Sequence, residues 1–260
     1  MSNIRQAFQN GKAFIPFITC GDPDLESTKQ NVRAAVAAGA DLVELGIPFS
    51  DPTAEGPVIQ AANLRALSGG VTTDAVFQMV AELREELTTP LVFMTYANVV
   101  FSYGIARFAA RAAEVGIDGI ILPDVPFEEK EEFAPAFRAV GIDFISMIAP
   151  TSMARIREIA AAAEGFLYVV SSLGVTGVRQ EINTDLSGML ASVRQANPSL
   201  PAAIGFGIST PAQAKRMAAV ADGVIVGSAI VRIMAEKGRE ADEEIARYVR
   251  EMKTAANTFQ

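Results

Sequence analysis

Glu44 sits inside an otherwise apolar run, "DLVELGIPF", and two more acids, Asp51 and Glu55, follow within eleven residues. Alternation in "DLVELG" places this glutamate in a strand with apolar neighbours on either side. A carboxyl held there loses its hydration, its proton affinity rises, and it stays partly protonated near neutrality, the state wanted in a general acid. Other acids read differently. Asp24, Asp185 and the "FEEKEEF" stretch have the character of helix caps or a solvated face, and Asp22 and Asp124 suit loop stabilisation as well as reactivity.

The rest of the inventory narrows the chemistry. The chain contains no histidine, so imidazole is unavailable as base or metal ligand. The lysines (Lys12, Lys29, Lys130, Lys215, Lys237 and Lys253) fall in helices or their approaches. A Schiff-base aldolase needs such an amine at a strand end, and a zinc aldolase needs His or Cys ligands, so both mechanisms are disfavoured. The single Cys20 has no base partner and reads as a small buried residue. Carbon–carbon chemistry here would have to run on carboxylates, with no metal.

Eight short β-rich runs position these groups: residues 14–19, 42–46, 91–95, 119–122, 143–148, 166–170, 203–206 and 223–226. Helical periodicity fills the intervals at 25–38, 72–87, 105–115, 128–139, 153–163, 185–196 and 211–221, with a charged amphipathic tail at 241–256. A helix-to-strand junction recurs in "AAGADLVEL", "VGIDGIIL", "VGIDFISM" and "VADGVIVG". Strands alternating with helices imply parallel pairing, and eight units predict one (β/α)8 barrel domain over residues 1–260. A doubly wound open sheet is the alternative. Pro16, inside the first strand, conflicts with a regular ladder and suggests a bulge or irregular pairing.

In such a barrel the strands' C-terminal ends carry the site. The first strand leads into "TCGDPD", the second into "PFSDPTAEGP", the third ends at Tyr96 and Asn98, and the fourth ends "PDVP". Tyr168 leads into "SSLGVTG", and the last two strands end "GFGIST" and "VGSA". Backbone amides at Gly207, Gly227 and Ser228, with residues 174–177 adjacent, could form a phosphate site backed by helix N-termini; glycines making only tight turns are the other reading.

The totals agree. With 260 residues, half of them hydrophobic, a large core is possible, and a formal charge of −8 argues against nucleic acid or an anionic membrane as partner. One cysteine and no apolar stretch of spanning length suit a cytoplasmic protein.

The strings "FITCGDPD", "ELGIPFSDPTAEGPVIQ", "YAN", "PDVP", "GVTG", "GFGIS" and "VGSAIV", in this order, resemble the tryptophan synthase alpha subunit family over essentially the whole chain. The resemblance implies a lyase that splits indole-3-glycerol phosphate into indole and glyceraldehyde 3-phosphate. It also implies an alpha2beta2 complex whose beta subunit holds pyridoxal phosphate, while the alpha chain carries no cofactor. By motif, Glu44 matches the family's catalytic glutamate, and Glu55 the acid that accepts the indole N–H, where the family very often has aspartate. Phe17, Tyr96, Tyr168 and Phe206 match the indole pocket. Gly177, Gly207, Gly227 and Ser228 match phosphate-binding positions, and Thr176 a loop residue that helps close the site. Asp51, Pro52, Asn98 and Pro126 match positions facing the beta subunit. Ser172 stands where many members have arginine. Two alternatives remain: another phosphosugar barrel enzyme, disfavoured because "ISMIAP" in the fifth strand carries no acid, and a non-catalytic activator of a beta partner, disfavoured by retention of both glutamates.

Overall fold

The computed structural model describes residues 3–150, 152–171 and 186–258. Its strands are β1 (Ala13–Thr19), β2 (Val43–Gly46), β3 (Leu91–Met94), β4 (Gly119–Ile121), β5 (Asp143–Phe144), β6 (Met147–Ile148), β7 (Leu167–Val170), β8 (Ala202–Gly205) and β9 (Gly223–Val226). They form one parallel sheet in the order β5-β4-β3-β2-β1-β9-β8-β7-β6. The two end strands are pieces of a single segment, residues 143–148. Across the break between them, Ile145 N–H donates to Ile120 O at 2.9 Å, and Ser146 O accepts from Tyr168 N–H at 3.0 Å. One segment therefore bonds to β4 on one side and β7 on the other, and the expected eight strands appear as nine.

The helices are α1 (Leu25–Ala37), α2 (Pro57–Ser68), α3 (Thr73–Arg84), α4 (Ala97–Tyr103), α5 (Ile105–Glu114), α6 (Ala134–Ala139), α7 (Met153–Ala161), α8 (Leu186–Ala196), α9 (Pro211–Ala218), α10 (Ser228–Lys237) and α11 (Asp242–Ala256). The expected helix at 128–139 is broken into a 3-10 turn, Phe127–Glu132, followed by α6. Pro135 explains the break, since it has no N–H to donate and its ring would crowd the carbonyl four residues earlier. Three helices have no counterpart in the periodicity: α2, α4 and α10.

Strand parity sorts the side chains into two cores. Phe14, Leu45, Phe93, Ile120, Leu167, Ile204 and Val224 pack towards the helices. Ile15, Phe17, Val92, Met94, Ile121, Tyr168, Ala203 and Ile225 form a second cluster on the sheet's other face. Val43 and Leu45 belong to the first cluster, so Glu44 between them projects into the second.

Pro16 pairs with Val226 in the β1–β9 register, while the β1–β2 register starts only at Phe17–Glu44. Phe14 N–H is taken by the Asp41 carboxylate at 2.7 Å, and Cys20 N–H by Gly46 O on the β2 side. By alternation, the donor Pro16 lacks would have faced β2 before the regular ladder begins, so no ladder bond is lost.

Candidate functional site

β2 holds Glu44 between Phe17 of β1 and Val92 of β3. Its carboxyl is buried, and among the described residues Oε2 has no hydrogen-bond partner. Burial, and secondarily the charge of Glu55, pushes its pKa up to about 8. Glu55 lies in the loop from β2 to α2 and is 5 % exposed. Two side chains of α2 grip it: Asn63 Nδ2–H donates to Glu55 Oε2 at 2.6 Å, and Gln60 Nε2–H donates to Glu55 O at 2.7 Å. Burial pushes Glu55 up to about 7 while the Asn63 hydrogen bond acts in the opposite sense.

The two glutamates open onto one cavity at the C-terminal ends of the strands. Its walls include three aromatic residues singled out above, Phe17, Tyr168 and Phe206, with Tyr168 and Phe206 meeting edge to face at 6.1 Å between ring centroids. Burial, aided by the Glu44 charge, holds the Tyr168 hydroxyl well above its usual pKa, so it stays protonated. Glycines make room for these rings: a Cβ on Gly46 would lie 2.5 Å from Phe17 Cζ, and one on Gly205 2.4 Å from the Tyr168 hydroxyl.

Gly207, Gly227 and Ser228 also line the cavity. Gly227 is the N-cap of α10 and no side chain caps it, so the N-terminus of that helix, at Gly227 and Ser228, borders the cavity. Phe206 and Gly207 both have positive φ, 74° and 80°. A left-handed phenylalanine is uncommon, and it lets the aromatic ring and the following amide bend into one pocket. Four apolar lining residues were missed from sequence: Ile59, Met94, Ile208 and Ile225. Met94 and Ile225 were findable by extending to β3 and β9 the parity that put Glu44 inside.

Tyr96 is buried beside this cavity but is not among its lining residues. Its hydroxyl accepts Ala54 N–H at 3.2 Å and its ring stacks on Phe49 at 5.2 Å, so it braces the loop that presents Glu55. Asp22 accepts a two-pronged bond from Arg65 at 2.8 and 2.7 Å, and Asp124 accepts Ala97 N–H at the start of α4. Asp24 caps α1 through Ser27 N–H. These three acids serve loops and helix ends. Cys20 is buried, and burial raises its thiol pKa, so the thiolate is scarce.

The family model for the tryptophan synthase alpha chain matches residues 2–259. The chain belongs to the tryptophan synthase alpha chain family. It is 51 % identical to the tryptophan synthase alpha chain of Lactiplantibacillus plantarum, over 98 % of this chain and 96 % of that one. The crystal structure of tryptophan synthase subunit alpha from Legionella pneumophila superposes with a TM-score of 0.86 at 35 % identity, covering 100 % of both chains. A structure of the tryptophan synthase a2b2 complex from Pyrococcus furiosus gives a TM-score of 0.83 at 36 % identity, covering 94 % of this chain and 99 % of that one.

Within the tryptophan synthase alpha family frame, the four positions matched to the beta-facing surface lie on the face that carries the cavity. Asp51, Asn98 and Pro126 are exposed and Pro52 is half-buried, in the segments that follow β2, β3 and β4. Phe101, one turn beyond Asn98 on α4, is 69 % exposed. Thr176, Gly177 and Ser172 lie outside the described residues.

Proposed function

We propose that the cavity between Glu44, Glu55 and the Gly207–Gly227–Ser228 end is the site of indole-3-glycerol phosphate cleavage. The chain is a carbon–carbon lyase of tryptophan biosynthesis, releasing indole and D-glyceraldehyde 3-phosphate. It works with a beta subunit that converts indole and L-serine to L-tryptophan. One observation carries the site assignment: two buried glutamates with raised proton affinity share one apolar cavity.

The reaction is a retro-aldol step. Indole C3 must gain a proton, giving an indolenine, and a hydroxyl of the glycerol chain must lose one before the carbon–carbon bond breaks. Glu44, protonated near neutrality, supplies the first proton; the carboxylate so formed takes the second. Glu55 accepts the ring N–H and stabilises the positive charge that develops there. Phe17, Tyr168, Phe206 and the aliphatic wall enclose the ring. Amides at Gly207, Gly227 and Ser228 receive the phosphate, so an acidic chain can bind an anion without a strand-end cation. No cofactor enters this scheme, and pyridoxal phosphate belongs to the beta subunit. Asp51, Pro52, Asn98 and Pro126 form part of the beta-facing surface, in an alpha2beta2 assembly.

The finer architecture follows the same reading: a (β/α)8 barrel forming a single catalytic domain over residues 1–260. Support comes from segment 143–148, which bonds to both neighbours and makes the two sheet ends one strand. A cytoplasmic location fits this role; among the described residues no helix is long and apolar enough to cross a membrane.

The paired variants Glu55→Asn and Glu55→Asp test the site. In an indole-release assay with the beta subunit present, Asn should cost most of the rate and Asp should largely preserve it. Equal loss in both would show that loop geometry, not the carboxylate, is what position 55 supplies.

A further inference from the structure

Two buried carboxyls around one cavity raise the question of which keeps the proton. Their surroundings differ in one respect. Glu55 Oε2 receives a 2.6 Å hydrogen bond from Asn63 Nδ2–H, whereas Glu44 Oε2 receives none among the described residues. Asn63 is 3 % exposed, on the face of α2 that also buries Ile59, Ala62 and Ala66. An amide buried on a helix, eight residues from the carboxylate it meets, has no capping role to explain it.

We propose that Asn63 is a positioning residue that assigns the roles of the two glutamates, by holding Glu55 as the ionised acceptor and leaving the proton on Glu44. This rests on the reading of Glu44 as acid and Glu55 as acceptor. An N–H donor stabilises the charged form of a carboxyl and opposes the effect of burial. Glu44, with an unpartnered buried oxygen, is favoured in its neutral form, and two like charges around one cavity oppose double ionisation. Other titratable groups facing the pair are Tyr168 on β7, close to Glu44, and Tyr96 after β3, close to Glu55; burial keeps both hydroxyls protonated. No ion pair reaches either glutamate among the described residues. The amide also fixes the reach of a side chain one methylene longer than aspartate, because Gln60 holds the backbone of Glu55 from the same helix.

The test is a pH profile of indole-3-glycerol phosphate cleavage by the alpha–beta complex, comparing wild type with Asn63→Leu, which removes the donor at similar volume. The acidic limb of kcat/KM, set by ionisation of Glu55, should move up by about one pH unit. At pH 6 the loss should be about tenfold, shrinking to less than about threefold above pH 8.5, a pattern that simple misfolding does not give. A second measurement needs no activity: carbon-13 carboxyl titration of Glu55 in Glu44→Gln, with and without Asn63→Leu, should show the same upward movement. An unmoved limb together with an unmoved titration overturns the proposal. Glu55→Asn run alongside separates the two failures. If that variant is inactive while Asn63→Leu matches wild type, only the role of Asn63 falls. If Glu55→Asn is fully active, the acceptor reading itself is lost.

Discussion

Glu44→Gln should flatten the dependence of folding stability on pH, and the composition makes this unusually clean to read. The chain has no histidine to titrate between pH 5.5 and 7.5, and burial raises the pKa values of Glu44 and Glu55 to about 8 and about 7. The Glu44 pKa rises from 4.5 to about 8 on folding, so across this window the native state holds a proton that the unfolded chain has released. The stability that Glu44 contributes is therefore fully present below pH 4.5 and is lost as pH rises towards 8. Over pH 5.5 to 7.5, Glu44 alone costs the native state on the order of 2–3 kcal/mol. Glu55 adds a loss in the same direction that ends near pH 7. Asp24, Glu82 and Glu128, held below their usual values by hydrogen bonds from Ser27, Lys29 and Arg155 respectively, act below pH 4.5 and do not offset it. Urea unfolding at half-unit pH steps is the assay; the wild-type midpoint should fall by roughly 1 M across the window. In Glu44→Gln, only the Glu55 part should remain, and the midpoint should be level from pH 7 to 8. A wild-type midpoint independent of pH, or an identical slope in the variant, would show that Glu44 is not a buried neutral acid.

Two further outcomes follow from packing. Gly205→Ala places a Cβ within 2.4 Å of the Tyr168 hydroxyl and should raise KM for indole-3-glycerol phosphate about tenfold or more by displacing that ring; steady-state kinetics in which KM is unchanged would count against Tyr168 as a pocket wall. Asp118→Ala strips Arg84 and Leu91 N–H of a buried acceptor and should cost about 3 kcal/mol in urea unfolding, with KM unaltered because the site is remote.

Much of this was legible in the sequence, for reasons that particular residues show. Alternation around Glu44 fixed its inward face, because a strand's period of two leaves no other choice once Val43 and Leu45 face the helices. The glycine-rich ends of β8 and β9 pointed to Gly207, Gly227 and Ser228, which line the cavity, because close backbone approach favours glycine. By contrast, α2 escaped detection because its buried face is Ile59, Ala62, Asn63 and Ala66, small or polar residues that give little apolar periodicity. Asn63 was invisible for the same reason. An asparagine in a helix carries no signal until the loop before it brings Glu55 back to meet it. Tyr96 was read as a pocket wall; its hydrogen bond from Ala54 N–H, which ties it to the loop carrying Glu55, is a tertiary contact that the spacing of residues along the chain does not show.

In the proposed reaction Glu44 delivers the proton that leads to cleavage of the substrate. Single-turnover release of indole from indole-3-glycerol phosphate by Glu44→Gln, bound to the beta subunit, tests it most directly. No indole should be detectable, with substrate binding and complex formation retained. Turnover near the wild-type rate would contradict it.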